Sequence, residues 1–458
     1  MLKKLKKTIE TNFSFRLNKN QLKDIERLCF EIIKRENTTL KEIVEYLKKD
    51  PQIKKQAGRN KFFAIKSSLI KRRFPLASKK EKIDTKKVFL PHLKSPLKDN
   101  WRVRKEFKPL KIFVEKEVKG SLILDNFKKN FPDVEVEELN YYTEYLKREK
   151  FKISLLKKPL IFIIKERWDF FKVCPCTKYH LRCGYWILNL GMGCPFDCSY
   201  CFLQQYTNFP GIILPANLED FFTQFDRFLK KIKRPIRLGT GEFCDSLALD
   251  YITEYSLKLI PYFKEKKVFF ELKTKSNCID NLLKINPSYN TVISFSLNPS
   301  SIIKKEEIAT ASLKERLEAA KELQKKRYPI GFHFDPIIHF LNWEKEYKEL
   351  IKEVYTYLKP PFSWISLGLL RGSRKLKTVV EARFPESKIF YGELFLGEDK
   401  KLRYPKFLRR RIYQNMIKWI REFDEETPVY LCMEDKEMWQ IIKNISTQRD
   451  IEDYLLKL

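Results

Sequence analysis

From Tyr185 onward, short apolar runs and amphipathic stretches take turns along the chain, and this alternation limits the possible folds more than any other feature. Strands are expected at Ile187 to Leu190, Ile236 to Leu238, Val268 to Leu272, Val292 to Leu297, Ile330 to Phe334 and Trp364 to Leu367. Helical periodicity fills the gaps, for example at Leu218 to Lys230, Tyr251 to Phe263, Leu313 to Lys325 and Trp343 to Leu358. Six strands with helices between them predict an α/β fold with a parallel sheet, either open and doubly wound or curled into a partial (β/α)6 TIM-type barrel.

Upstream of this region the pattern is different. Residues 1–100 carry 28 Lys and Arg against 11 Asp and Glu, which places +17 of the chain's total +33 in that stretch. Leu22, Ile25, Leu28 and Cys29 recur at helical spacing, and Thr39 with Glu42 forms a capping box ahead of Ile43, Val44 and Leu47. A third basic helix is expected from about Gln56 to Arg72, so residues 1–75 read as a basic helical domain, a candidate nucleic-acid reader or a plain appendage. Residues 76–108 read as a charged, proline-punctuated linker. In residues 109–184, Lys111 to Glu115 and Val134 to Glu138 read as strands around a helix from Leu122 to Phe131, giving a small α/β piece with a cysteine-rich end. The barrel region spans 185–425, and 426–458 forms a C-terminal extension.

A composition 43% hydrophobic and 33% charged is that of a soluble globular chain of more than one domain. The basic start lacks the apolar run of a signal peptide, and segments such as Pro159 to Ile164 fall short of the roughly 18 residues a membrane span needs. A cytoplasmic protein without membrane contact is expected. Six of the ten cysteines crowd between Cys174 and Cys201, a density that in an intracellular chain favours metal binding over disulfides.

Directly after the first barrel strand comes Gly193-Cys194-Pro195-Phe196-Asp197-Cys198-Ser199-Tyr200-Cys201, a C-x3-C-x2-C loop. Three thiolates on one tight loop ligate three irons of a [4Fe-4S] cube and leave the fourth open. An open iron is what chelation of S-adenosylmethionine (SAM) requires; an electron from the cluster then yields the 5'-deoxyadenosyl radical that abstracts hydrogen from a substrate. A structural zinc loop, the alternative, needs a fourth ligand and usually C-x2-C pairs.

The run Cys194 to Gln204, CPFDCSYCFLQ, resembles the radical SAM signature as it occurs in spore photoproduct lyase and its relatives. Thr274-Lys275, Phe295 to Asn298, Gly331 to Ile337 with Trp343, and Arg403-Tyr404 continue the likeness over roughly residues 110–425. The resemblance implies the partial radical SAM barrel. It also implies that Gly239-Thr240-Gly241-Glu242 is the glycine-rich segment whose backbone meets the SAM amine, that Lys275 binds the SAM carboxylate, and that Ser296 and Asn298 bind its polar atoms. Tyr200, Arg403 and Tyr404 match catalytic-region residues of the lyase. In the lyase a cysteine after the second strand donates hydrogen to the product radical. Glu242 takes that position here, and Cys244, two residues on, would share its face in an extended segment. Phe202 stands where the lyase has a tyrosine.

A second constellation, Cys174, Cys176, His180 and Cys183, offers four ligands within ten residues, enough for a second metal or an auxiliary iron-sulfur cluster; thiols that only pack are the alternative.

The expected function is a radical SAM enzyme acting on a pyrimidine in nucleic acid, most readily DNA, by repair or modification. A small electron donor such as flavodoxin or ferredoxin is the expected redox partner. The alternatives are a nucleic-acid-binding iron-sulfur protein without turnover and a radical SAM modifier of RNA or protein.

Overall fold

The computed structural model describes residues 2–93, 106–152, 155–156, 159–167, 170–176, 180–206, 209–442 and 445–456. The chain forms two compact units. One comprises Trp101–Ile337, Asn342–Leu369 and Arg410–Leu458, the other Met1–Asn100, Ile338–Leu341 and Leu370–Arg409.

In the first unit, all six strands expected after Tyr185 are present, in one sheet. Its spatial order is Val429–Leu431, Ile365–Leu369, Ile330–Ile337, Thr291–Ser296, Val268–Thr274, Ile236–Gly239, Tyr185–Leu188, Phe171–Val173. Every neighbouring pair is parallel except the Phe171–Val173 and Tyr185–Leu188 hairpin. Spatial order follows sequence order without the reversal that marks a doubly wound sheet, so each crossover winds the same way.

The sheet also curls. Arg237 donates to the Tyr430 hydroxyl at 3.1 Å although four strands separate theirs. In a flat sheet, five spacings of about 4.8 Å would hold them roughly 24 Å apart. The result is a partial barrel. Its interior is polar: Glu271 accepts from Trp364 Nε1 at 2.7 Å and from the hydroxyls of Tyr185 and Ser294, with His333 Nε2 at 2.8 Å. Burial alone would raise the Glu271 pKa, but His333 and Arg237 hold it well below the ordinary range. His333 is therefore a structural partner of a buried carboxylate.

The helices largely follow the expected pattern. Ser312 and Glu315 form a capping box that starts Leu313–Lys325. The stretch expected as one helix from Tyr251 to Phe263 is two, Asp250–Thr253 and Tyr255–Phe263, because Glu254 takes a left-handed φ of 54°. The last barrel strand, Val429–Leu431, lies in the stretch expected as an extension, and the first begins at Tyr185, two residues early.

A second sheet in this unit runs Val136–Leu139, Lys111–Glu115, Leu160–Ile164, Gly211–Pro215, all parallel. The small α/β piece thus takes its edge strand from beyond the three-cysteine loop.

In the other unit, Leu2–Phe13, Lys19–Glu36, Leu40–Lys48 and Gly58–Arg73 are helices. Asn18 and Gln21 cap the second with a full box, whereas Thr39 accepts from the Glu42 amide while the Glu42 carboxylate turns to Thr38, so only half of the expected box forms. These helices are completed by residues 370–409: buried Glu31 pairs with Arg27 at 2.7 Å, Arg73 at 2.6 Å and Lys377 at 2.6 Å. Of the expected linker, Pro75–Lys80 is a short helix, and 94–105 lie outside the described residues.

Candidate active site

The Cys194 to Cys201 loop is pinned at both ends. Before it, Met192 and Ile213 exchange backbone hydrogen bonds of 3.0 and 2.8 Å. Gly193 has φ +97°, and a Cβ there would meet the Gly211 carbonyl oxygen at 2.8 Å, so glycine is required. Within it, Asp197–Cys198 pairs antiparallel with Glu307–Ile308, with Cys198 opposite Glu307. The Ser199 amide donates to the Glu306 carbonyl at 2.8 Å, and Gln204 Nε2 donates to the Cys198 carbonyl at 2.6 Å.

Glu307 is the centre of this region, and no motif in the sequence marks it. Its fully buried carboxylate accepts from the Tyr200 hydroxyl, from Asn298 Nδ2 at 2.9 Å and from Arg316 at 2.6 Å, with Lys275 Nζ at 3.5 Å. Burial would raise its pKa, but Lys275 and Arg316 together with the hydrogen bonds hold it down to about 2. Tyr200 therefore has a positioning contact, and Asn298, which also accepts from Tyr347 at 2.8 Å, holds Glu307. Ser296 is buried at the end of the neighbouring strand, its carbonyl accepting from Arg316 at 2.7 Å.

Asp245 ties the segment after the Ile236–Gly239 strand to Lys275. Its carboxylate accepts from the Lys275 amide and the Thr274 hydroxyl, each at 2.7 Å, and from the amides of Leu247 at 3.1 Å and Ala248 at 2.9 Å. Thr240 bonds Ser246 at 2.5 Å. Gly239 and Gly241 make room for this chain's own side chains: a Cβ at Gly239 would strike the Tyr185 hydroxyl at 1.6 Å, and one at Gly241 would meet the Lys273 side chain at 2.8 Å. Glu242 acts electrostatically on Lys273 and on Cys201.

Cys244 also lies within electrostatic reach of Lys273 and of its neighbour Asp245. Its thiol donates to the Thr240 carbonyl at 3.6 Å and lines a small cavity with Leu190, Pro195, Leu214 and Tyr255; burial pushes it up to about 12. A second thiol, Cys432, acts on Lys273 together with Glu242, Glu271 and Asp335. Cys432 follows the last strand and lies two residues beyond Tyr430, which faces the barrel interior. Sequence reasoning misses it because that strand is too short to be recognised. Phe202 packs against Tyr206 and Phe243. Arg403 and Tyr404 belong to the other unit, where Arg403 pairs with Asp399 at 2.6 Å and the Tyr404 hydroxyl accepts from the His339 amide at 3.0 Å.

The donor set fits an iron-sulfur cluster with SAM. The three thiols interact with one another, and Lys275 acts on Cys198 and Cys201. Among the described residues, no three His, Cys, Asp or Glu side chains stand close enough to hold a single ion. Cubane ligands bind different irons and are spaced more widely than that. Burial pushes the Cys201 thiol up to about 11 and raises Cys194 and Cys198 well above the ordinary thiol value, so thiolate formation must come with ligation. Lys275 Nζ is buried with Glu307 as its ion-pair partner but with no hydrogen bond among the described residues, which leaves its N–H groups able to take an anionic ligand.

Of the upstream set, Cys174, Cys176 and Cys183 line one cavity of about 400 Å³. His180 is not among the residues that line it.

A one-way partial barrel with a three-cysteine loop after a strand, and a buried lysine beside it, defines a radical SAM enzyme. The spore photoproduct lyase family model matches residues 131–426. Spore photoproduct lyase of Clostridium acetobutylicum is 28% identical over 236 residues, covering 51% of this chain and 68% of its own. The Bacillus subtilis protein of that name is 27% identical over 252 residues, covering 54% and 70%. A solved spore photoproduct lyase complexed with dinucleoside spore photoproduct aligns with TM-score 0.61 at 22% identity, over 71% of this chain and 99% of that one. A variant of that enzyme with bound AdoMet and dinucleoside spore photoproduct also gives 0.61. The chain belongs to the spore photoproduct lyase family, whose enzymes use a [4Fe-4S] cluster and SAM. No helix among the described residues is long and apolar enough to cross a membrane.

Proposed function

We propose that this chain repairs a pyrimidine lesion in DNA of the spore photoproduct class, with Cys194, Cys198 and Cys201 holding the cluster. The observation that carries the reading is the convergence of the cysteine loop and the buried Glu307–Lys275 ion pair at one end of the barrel strands, with Lys275 Nζ free of hydrogen bonds to the described residues. The cluster and SAM supply, when bound, a carbon radical that abstracts hydrogen from the substrate. Lys275 takes the SAM carboxylate, its charge strengthened by exclusion of water. The backbone of Gly239 to Glu242 meets the amine, and Ser296 takes a polar atom of SAM. Glu307 fixes Lys275 and Tyr200 in place.

Glu242, Lys273, Asp335 and Cys432 face the substrate beyond SAM. In this reading Cys432, with Lys273 beside it, is the thiol that returns hydrogen to the product radical, and Cys244 packs. The solved relatives that hold a dinucleoside photoproduct support a nucleic-acid substrate, as does the net charge of +33. Exposed Lys54, Lys55, Arg59 and Lys71 in the basic segment, with Phe63 half exposed under Arg59, suit phosphate and base contacts.

The test is anaerobic reconstitution with iron and sulfide, followed by incubation with SAM, dithionite and dinucleoside spore photoproduct. Conversion of the photoproduct that requires SAM is the expected result. SAM cleavage that the photoproduct neither accelerates nor consumes would assign the enzyme another substrate.

A further inference from the structure

We propose that Cys174, Cys176 and Cys183 form a mononuclear zinc site at the edge of the barrel sheet, separate from the cluster loop. Zinc-thiolate bonds of about 2.3 Å in a tetrahedral site place two sulfurs roughly 3.8 Å apart. The Cys174 and Cys176 sulfurs stand 3.7 Å apart, the spacing of two corners of such a site. Thiolates on different irons of a cube are farther apart, so the pair suits one ion and not a second cluster.

The pair is built in. The Cys174 amide donates to the Tyr185 carbonyl at 2.9 Å, and the Cys176 amide turns back onto the Cys174 carbonyl at 2.8 Å, across Pro175. Cys183 lines the same cavity of about 400 Å³, two residues before Tyr185, whose carbonyl holds the Cys174 amide. Gly184 makes the turn between them with φ +70°.

A second observation points to an anionic occupant. Arg237 lines this cavity and is 2% exposed, yet its Nε and Nη1 have no hydrogen-bond partner among the described residues. Nη2 reaches the Tyr430 hydroxyl, but two buried guanidinium nitrogens left unpaired are costly, and zinc with three thiolates carries the net negative charge that answers them. The Cys183 thiol must close on the other two, since the three are not yet at single-ion distance. His180, three residues upstream, is the nearest remaining donor in the sequence for the fourth position.

The site is tested in the full chain carrying Cys194→Ala, Cys198→Ala and Cys201→Ala, expressed with added zinc. About one zinc per chain is expected by elemental analysis, falling to background when Cys174→Ser and Cys176→Ser are added, and unchanged by Cys29→Ser or Cys278→Ser. Cobalt(II) added to the triple variant should give the intense visible bands of a tetrahedral thiolate site, a readout that holds even if the five-fold variant folds poorly. A folded triple variant without zinc or a cobalt spectrum would overturn the proposal, as would iron with acid-labile sulfide in that variant. These measurements are independent of SAM cleavage and of the substrate.

Discussion

Cys198 stands directly opposite Glu307 in a two-residue antiparallel ladder, so the middle cysteine of the loop is registered against the carboxylate that holds Lys275. This couples two roles that substitutions can separate. Lys275→Met should leave iron uptake near four per chain and weaken SAM binding by at least tenfold, about 1.4 kcal/mol or more. Glu307→Ala leaves Arg316 and Lys275 buried without their carboxylate; it should destabilise the protein by about 3–5 kcal/mol and lower iron retention as well. Iron analysis and SAM equilibrium dialysis on both variants check this. Equal loss of iron in the two would contradict the division of roles.

The two thiols near the glycine-rich segment make opposite predictions. Cys432→Ala should let SAM cleavage continue while photoproduct conversion falls at least tenfold and uncoupled products accumulate. Cys244→Ala should change conversion less than threefold, because that thiol is engaged by the Thr240 carbonyl and lines a small cavity with Leu190, Pro195, Leu214, Asp245 and Tyr255. Product analysis by mass spectrometry decides between them, and the reverse pattern would return the role to Cys244.

In the basic unit, buried Glu31 lies among Lys377, Arg73 and Arg27, which overcome the effect of burial and hold its pKa far below the ordinary value. A depressed carboxylate contributes stability that is fully present above its unfolded pKa of about 4.3 and is lost as pH falls toward the folded value. Glu31→Gln should cost about 3–5 kcal/mol at pH 7 and flatten the loss of stability below about pH 5. Urea titrations of metal-free protein at several pH values measure both. A variant as stable as the parent at pH 7 would contradict the account.

Lys54, Lys55, Arg59 and Lys71 are exposed on this unit. Changing all four to Glu should weaken duplex binding and reduce the salt slope by roughly 0.9 for each phosphate that is no longer neutralised. Substitution is the sounder test than deletion of the segment, because Arg73 and Glu31 are tied to Lys377 and removal would strip residues 370–409 of their partners. Unchanged affinity across salt concentrations would show that these side chains are not the reader.

Much of the barrel is legible in the sequence because buried parallel strands and amphipathic helices carry opposite periodicities, and Leu313–Lys325 matches to the residue. The cluster loop is legible because three cysteines on one turn have a narrow chemical meaning. Glu307 is not, since it lies 109 residues beyond Cys198 and acquires its role only through the ladder between them. The three-residue strand Val429–Leu431 is too short to show a period, and Cys432 is hidden with it. The glycines of the Gly239 to Glu242 segment suggest space cleared for a ligand, whereas the space is used by Tyr185 and Lys273. Nothing local in residues 1–75 signals that Glu31 needs Lys377, because that contact closes across more than 300 residues.

The most direct measurement is reductive SAM cleavage by the anaerobically reconstituted chain and by Cys198→Ala, with 5'-deoxyadenosine and methionine quantified. The account predicts cleavage by the parent protein carrying about four irons beyond any zinc, and none above background in the variant. Cleavage that persists in Cys198→Ala would contradict it.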